Sequence, residues 1–162
     1  MKPSALTLFS GIGGGSLGLK RAGFNLAGAV DFDEGACKDY RYLIKSSCEQ
    51  GDLARMTPED LRAIVPKCPD LVLTSPPCKS FSGLLGEERS KDPYYVAMSD
   101  LARKSVTLVT SAWRDLPRIV VLENVPRIMS RGRPWIDSAI AVLIEKGYTV
   151  TEQVIDFGRI GL

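Results

Sequence analysis

The stretch of this chain richest in chemistry is Thr74-Ser75-Pro76-Pro77-Cys78-Lys79-Ser80-Phe81-Ser82-Gly83. Its two consecutive prolines stop sheet pairing and stiffen the backbone. Cys78 therefore sits on a loop with little freedom. A thiol held in this way is a candidate nucleophile, although a small apolar filler is an equally ordinary use of cysteine. The sequence contains no histidine, which excludes Cys–His and Ser–His dyads and any histidine metal site within the chain. A thiolate at Cys78 must then draw on a helix N-terminus or a nearby cation. The other cysteines, Cys37, Cys48 and Cys68, form no C-x-x-C pair. A zinc site or redox dithiol is therefore not expected, and a reducing compartment suits the pattern better than a disulfide framework.

Two further groups stand at comparable positions. Phe9-Ser10-Gly11-Ile12-Gly13-Gly14 is a glycine loop, and Asp31 lies twenty residues beyond Gly11. Glycines allow a tight turn and close approach of backbone to a ligand, and an acid at that distance is placed to hold ribose hydroxyls. Phe32 beside it can pack on a purine face. The loop is not a clean G-x-G-x-x-G, so a flexible turn remains open. Asp31 or Asp33 also suits the N-cap of a following helix. Glu123, in Glu123-Asn124-Val125-Pro126, is a carboxylate following another apolar run.

The elements that must position these groups follow from the pattern of apolar residues. Ala5–Phe9, Asn25–Val30, a short stretch ending at Gly51-Asp52-Leu53, Asp70–Leu73 and Arg118–Leu122 read as strands, each ending in polar or turn residues. Helices are expected at 17–22, 34–45, 57–66, 94–115 and 134–146, with Tyr148–Phe157 as a final strand. Residues 83–93 are polar enough for an exposed loop, where a closing lid would sit. Strands alternating with helices imply an α/β fold, a mostly parallel Rossmann-like sheet with helices on both faces. Its carboxyl edge would gather the glycine loop, Asp31, Asp52, Cys78 and Glu123, which is where such sheets bind ligands.

The bulk properties allow one domain. The chain has 162 residues, 44% hydrophobic, with 21 Lys and Arg against 19 Asp and Glu. That balance does not by itself indicate nucleic acid. No apolar run reaches the roughly 18 residues of a membrane span, and the start does not read as a signal peptide, so a cytoplasmic protein is expected.

Taken together, these residues resemble the DNA cytosine-5 methyltransferases over nearly the whole chain. Phe9-Ser10-Gly11-Ile12-Gly13-Gly14 is similar to the family's S-adenosylmethionine loop. Pro77-Cys78 followed by Phe81-Ser82 is similar to its nucleophile motif, and Glu123-Asn124-Val125 to its catalytic glutamate motif. Asp156-Phe157-Gly158 is similar to the approach to its arginine motif. The resemblance implies methyl transfer from S-adenosylmethionine to C5 of a cytosine flipped out of DNA, as in restriction–modification systems. It assigns Cys78 to addition at C6 and Glu123 to N3 of the base. Asp31 would bind the cofactor ribose, Phe32 and Leu53 would flank the adenine, and Asp52 would meet its amino group. Pro76 lies in the same pocket, and no metal is implied.

Thr7 and Lys79 depart from the family's usual acid and glutamine. The match is to the amino-terminal part of the catalytic domain (residues 1–162), without the target-recognition region or the later arginine motif. A second chain supplying those parts is one expectation, and a cofactor-binding half or degenerate relative inactive alone is another. A transfer-RNA cytosine-5 methyltransferase carries the same motifs. Ser75-Pro76-Pro77 also suits the amino-methyltransferases of DNA, but these place an aromatic residue where Cys78 stands and need no Glu-Asn-Val.

Overall fold

Five short parallel strands carry the molecule: β1 (Ser4–Leu8), β2 (Asn25–Asp31), β3 (Glu49–Gln50), β4 (Leu71–Thr74) and β5 (Ile119–Leu122), in the order β3-β2-β1-β4-β5. The computed structural model describes residues 2–78 and 98–160. Between the strands run α1 (Gly14–Arg21), α2 (Glu34–Ile44), α3 (Pro58–Ile64) and α4 (Leu101–Val109), and α5 (Arg133–Glu145) comes after β5. Single 3-10 turns follow at Pro126–Met129 and Phe157–Ile160. The expected doubly wound α/β architecture is present, and the strand order reverses direction at β1, the switch point where such sheets leave a crevice.

Local chemistry explains the element boundaries. Asp33 caps α2, its Oδ1 accepting from Ala36 N at 2.7 Å. Thr57 and Asp60 form a reciprocal capping box at α3, with Pro58 in the first turn. Each device satisfies N–H groups that the helix leaves unpaired. The central strands are apolar on both sides, as buried parallel strands must be. Leu6, Leu8, Val30 and Val72 pack with Leu61 and Val65 near α3 and with Val109, Ala112 and Trp113 at the end of α4. On the opposite face Ala29 packs with Cys37, Tyr40 and Ile44 of α2 and with Cys48.

Two expectations are corrected. The helix expected over 94–115 is regular over Leu101–Val109 and ends at Thr110; its first residues, 94–97, lie outside the described ones. Thr110 Oγ1 bonds back to the Val106 carbonyl at 2.9 Å and Ser111 Oγ to that of Thr107 at 2.7 Å. The chain then turns so that the buried Trp113 Nε1 can donate to Val65 O at 2.8 Å. The strand expected over Tyr148–Phe157 does not form. That segment is held by side chains instead. Tyr148 Oη donates to Pro117 O at 2.5 Å, Tyr148 and Val150 pack on Val106, Ala139 and Leu143, and Arg133 grips the Glu152 carboxylate at 2.6 and 3.0 Å. The loop over 83–93 lies outside the described residues, and so do Phe81 and Ser82. Among the described residues no helix is long and apolar enough to cross a membrane.

Candidate active site at the carboxyl edge of the sheet

Because all five strands are parallel, their carboxyl ends share one edge, and the backbone stitches those ends together beyond the strands. Ser10 N donates to Val30 O, Ser75 N to Leu8 O, Glu123 N to Thr74 O and Gly51 N to Asp31 O, at 2.8–3.2 Å. The glycine loop, Asp31, Asp52, Pro76-Pro77-Cys78 and Glu123 therefore sit on one continuous rim.

The glycine loop is shaped by its backbone. Phe9 takes φ 54°, a left-handed conformation uncommon for a side-chain-bearing residue, and Gly13 takes φ 100° as the residue before α1. The aromatic ring of Phe9 packs on the core, which holds the turn in place. A Cβ at Gly13 would sit 2.8 Å from Tyr40 Cδ2 and closer still to Ile44. At Gly11 and Gly14, in contrast, a Cβ would meet nothing within 4 Å. The loop thus presses inward at Gly13 and presents bare backbone outward at Gly11 and Gly14. Ile12 is exposed, and Ser10 Oγ lies 3.4 Å from Cys48 Sγ beneath the loop.

Asp31 braces the glycine loop, through a contact between residues too far apart in the chain to be legible in the sequence. Its Oδ2 accepts from Gly11 N at 2.7 Å and its Oδ1 from Asp33 N at 3.0 Å. The carboxylate thus ties the end of β2 to the glycine loop while staying half-exposed. Phe32, next to it, is 70% exposed. Asp52 closes a turn, accepting from Ala54 N at 2.9 Å and lying 3.5 Å from Arg55 Nε. Leu53 is 5% exposed and belongs to the main core. Its side chain supports the rim from below.

Pro76 is buried, and Pro77 and Cys78 are half-buried. Glu123 is exposed on the neighbouring strand end. Between them stands Asn124. Its Nδ2 donates to Pro76 O at 3.0 Å, and its Oδ1 accepts from its neighbour Val125 N at 2.9 Å. The only signal in the sequence was an amide residue directly after the candidate acid. Beneath, Thr74 Oγ1 donates to Ser105 Oγ at 3.0 Å, fixing the end of β4 to α4. Among the described residues there is no cluster of acids, cysteines or histidines that could hold a metal ion.

Comparison with known proteins gives the same picture. The model of the C-5 cytosine-specific DNA methylases matches residues 4–162. Type II methyltransferase M.NgoFVII of Neisseria gonorrhoeae is 31% identical over 162 residues, covering 99% of this chain and 41% of that protein. M.HgiDI of Herpetosiphon aurantiacus is 29% identical, covering 97% of this chain and 47% of that protein. The chain therefore spans less than half the length of these curated relatives. Among solved structures, an Entamoeba histolytica methyltransferase, EhMeth, superposes with a TM-score of 0.75 at 19% identity, over 99% of this chain and 49% of that one. The Dnmt2 methyltransferase of S. pombe gives 0.70 at 21%, over 92% and 42%. At such identities these likenesses speak for the fold, while the match over residues 4–162 speaks for descent: the chain belongs to the C-5 cytosine-specific DNA methylase family.

Proposed function

We propose that residues 1–162 are the amino-terminal portion of a methyltransferase catalytic domain that methylates C5 of cytosine in DNA, with S-adenosylmethionine as cofactor. The observation that carries this reading is the link between the two reactive loops. Asn124 bonds the loop of Pro76-Pro77-Cys78 from directly beside Glu123. A nucleophile and an acid on adjacent parallel strand ends, cross-braced in this way, suit a flat ring approached at two of its atoms.

The rim suits the cofactor. The open side of Gly11 and Gly14 leaves room against bare backbone, the exposed Phe32 offers a face to an adenine ring, and Asp31 retains free lone pairs for ribose hydroxyls. Ser10 and Ile12 line the same loop, and Asp52 stands one strand further along. When bound, S-adenosylmethionine supplies an electrophilic methyl group that ends on C5 of the base. The chain's own residues make C5 able to accept it. Cys78 Sγ adds to C6, which converts the ring to an enamine-like species, and Glu123 at N3 stabilises the charge that develops there. Loss of the C5 proton then lets the thiol leave. The target base has to leave the duplex to reach Cys78.

The remainder of the enzyme, with its recognition region, comes from further polypeptide, since the chain spans 41% and 47% of the relatives above. A second chain can supply it. The four unpaired cysteines suit work in the cytoplasm. The test uses this chain completed by such a remainder. Wild-type protein should form a covalent adduct with DNA carrying 5-fluorocytosine, and Cys78→Ser should form none. Glu123→Gln should slow methyl transfer by roughly 100-fold or more. An adduct that survives Cys78→Ser would exclude this mechanism.

A further inference from the structure

We propose that Ser105, on α4, is a positioning residue for the Cys78 nucleophile, acting through the side chain of Thr74 and the stiff segment between Thr74 and Cys78. The inference rests on the reading above that Cys78 attacks the base, and it names the support that holds the thiol in place.

Neither position needs a hydroxyl for packing. Thr74 and Ser105 are fully buried. Valine and alanine would fill nearly the same space with no polar atom to satisfy, and serine gains nothing from the interior of a helix. A buried hydroxyl costs free energy unless it is bonded. Here both are bonded, and in one direction. Thr74 Oγ1 donates to Ser105 Oγ at 3.0 Å, and Ser105 Oγ donates to Ala102 O at 3.0 Å. The bonds end on the backbone of α4, so the Thr74 side chain is anchored to a rigid element.

Thr74 is also where the rim is joined. On β4 it lies in register with Leu8 of β1 on one side and Leu122 of β5 on the other. Its carbonyl accepts from Glu123 N at 2.9 Å, and the next residue, Ser75, donates its N–H to Leu8 O at 3.2 Å. Thr74 thus holds the candidate acid by its backbone and α4 by its side chain. Only Ser75, Pro76 and Pro77 separate it from Cys78. Proline fixes φ, so a Pro-Pro segment passes on a displacement that a flexible loop would absorb. A shift at Thr74 therefore reaches the thiol. Asn124 braces the same segment from the β5 side at Pro76 O, and Ser105 braces it from the helix beneath. A misplacement of about 1 Å, even from a change far from the chemistry, can cost roughly 100-fold in rate.

Three variants separate positioning from packing: Ser105→Ala, Thr74→Val and the two combined. In the chain alone, alkylation by iodoacetamide is read at each cysteine by mass spectrometry. Either single variant should raise the rate at Cys78 by roughly fivefold, the scale of one lost hydrogen bond. Cys68, half-buried ahead of β4, should keep its rate, whereas a general loss of stability would move both. Ser105→Ala strands the Thr74 hydroxyl and should lower the melting temperature. The double variant leaves no hydroxyl at either position and should regain it. In the completed enzyme all three should lower kcat by about tenfold, with KM for DNA and affinity for S-adenosylmethionine nearly unchanged. The double variant should be no slower than either single one, because the same bond is lost in each. Thr74→Ser, which keeps the hydroxyl, should restore both kcat and the Cys78 alkylation rate. A double variant as fast as wild type, or a Cys78 rate that moves only together with that of Cys68, would overturn the proposal. A completed enzyme without methyl transfer counts against the proposed function, and the alkylation of Cys78 in the chain alone still decides this inference.

Discussion

The side-chain amide of Asn124 donates to the carbonyl of Pro76 across 3.0 Å, joining two loops 48 residues apart in the chain. Proline cannot offer a backbone N–H, but its carbonyl remains an acceptor. The bond therefore uses the one kind of hydrogen-bonding group that the stiff Pro-Pro segment has to give, a backbone carbonyl. Asn124→Ala should cost about 1 kcal/mol of stability, the usual net value of a partly buried hydrogen bond. In the completed enzyme it should lower kcat for methyl transfer while leaving cofactor affinity nearly unchanged. Thermal unfolding and isothermal calorimetry check the two halves separately, and a large loss of cofactor affinity would contradict the assignment.

Asp31 joins the glycine loop to β2 through Gly11 N and Asp33 N. Asp31→Ala removes both bonds together with any contact to ribose. Affinity for S-adenosylmethionine in the completed enzyme should fall by about tenfold or more, since each 1.4 kcal/mol is a factor of ten. Asp31→Asn keeps one acceptor oxygen and should lie between wild type and alanine. Equal affinities for all three proteins would remove Asp31 from the cofactor site.

Gly13 combines a left-handed backbone with a wall of side chains, Ile44 and Tyr40, where a Cβ would go. Gly13→Ala should destabilise the fold by about 2 kcal/mol or more, from backbone strain and overpacking together. Gly14→Ala, where a Cβ meets open space, should be tolerated by the fold. It should still weaken cofactor binding if that open space is the cofactor's. Chemical denaturation of the pair measures the contrast, and equal losses would mean that the loop is not shaped as described.

Cys37 is fully buried, its Sγ 3.3 Å from that of Cys48. Burial first, and then the neighbouring thiol, push its pKa from 9.0 up to about 12. Above pH 9 the unfolded chain loses this proton while the folded chain keeps it. The folded state then binds more protons, so stability should fall as pH rises from about 9 toward 12. Cys37→Ala should flatten that alkaline limb. Urea titrations between pH 8 and about 10.5 would show it, and a limb of unchanged slope in the variant would assign the effect to other groups.

The order of the strands and the chemistry of their ends are legible in the amino-acid sequence. Apolar runs such as Leu71–Thr74 and Ile119–Leu122, each followed by proline or polar residues, read as strands with reactive loops behind them. Caps such as Asp33 and Thr57 were equally legible, because a cap bonds to residues two or three positions away. What lay beyond the sequence depends on contacts between distant parts of the chain. Asn124 meets Pro76, and Asp31 meets Gly11, only once the parallel sheet brings their strand ends to one rim. Leu53 stands next to a candidate ligand residue in the sequence, yet the turn at Asp52 directs it into the core. Tyr148–Phe157 has the composition of a strand, but strand formation requires a partner ladder. There the described chain is held by side-chain anchors at Pro117 and Arg133 and pairs with no described strand of the sheet. Local propensity selects what a segment can become, and the tertiary contacts available to its backbone decide whether it does.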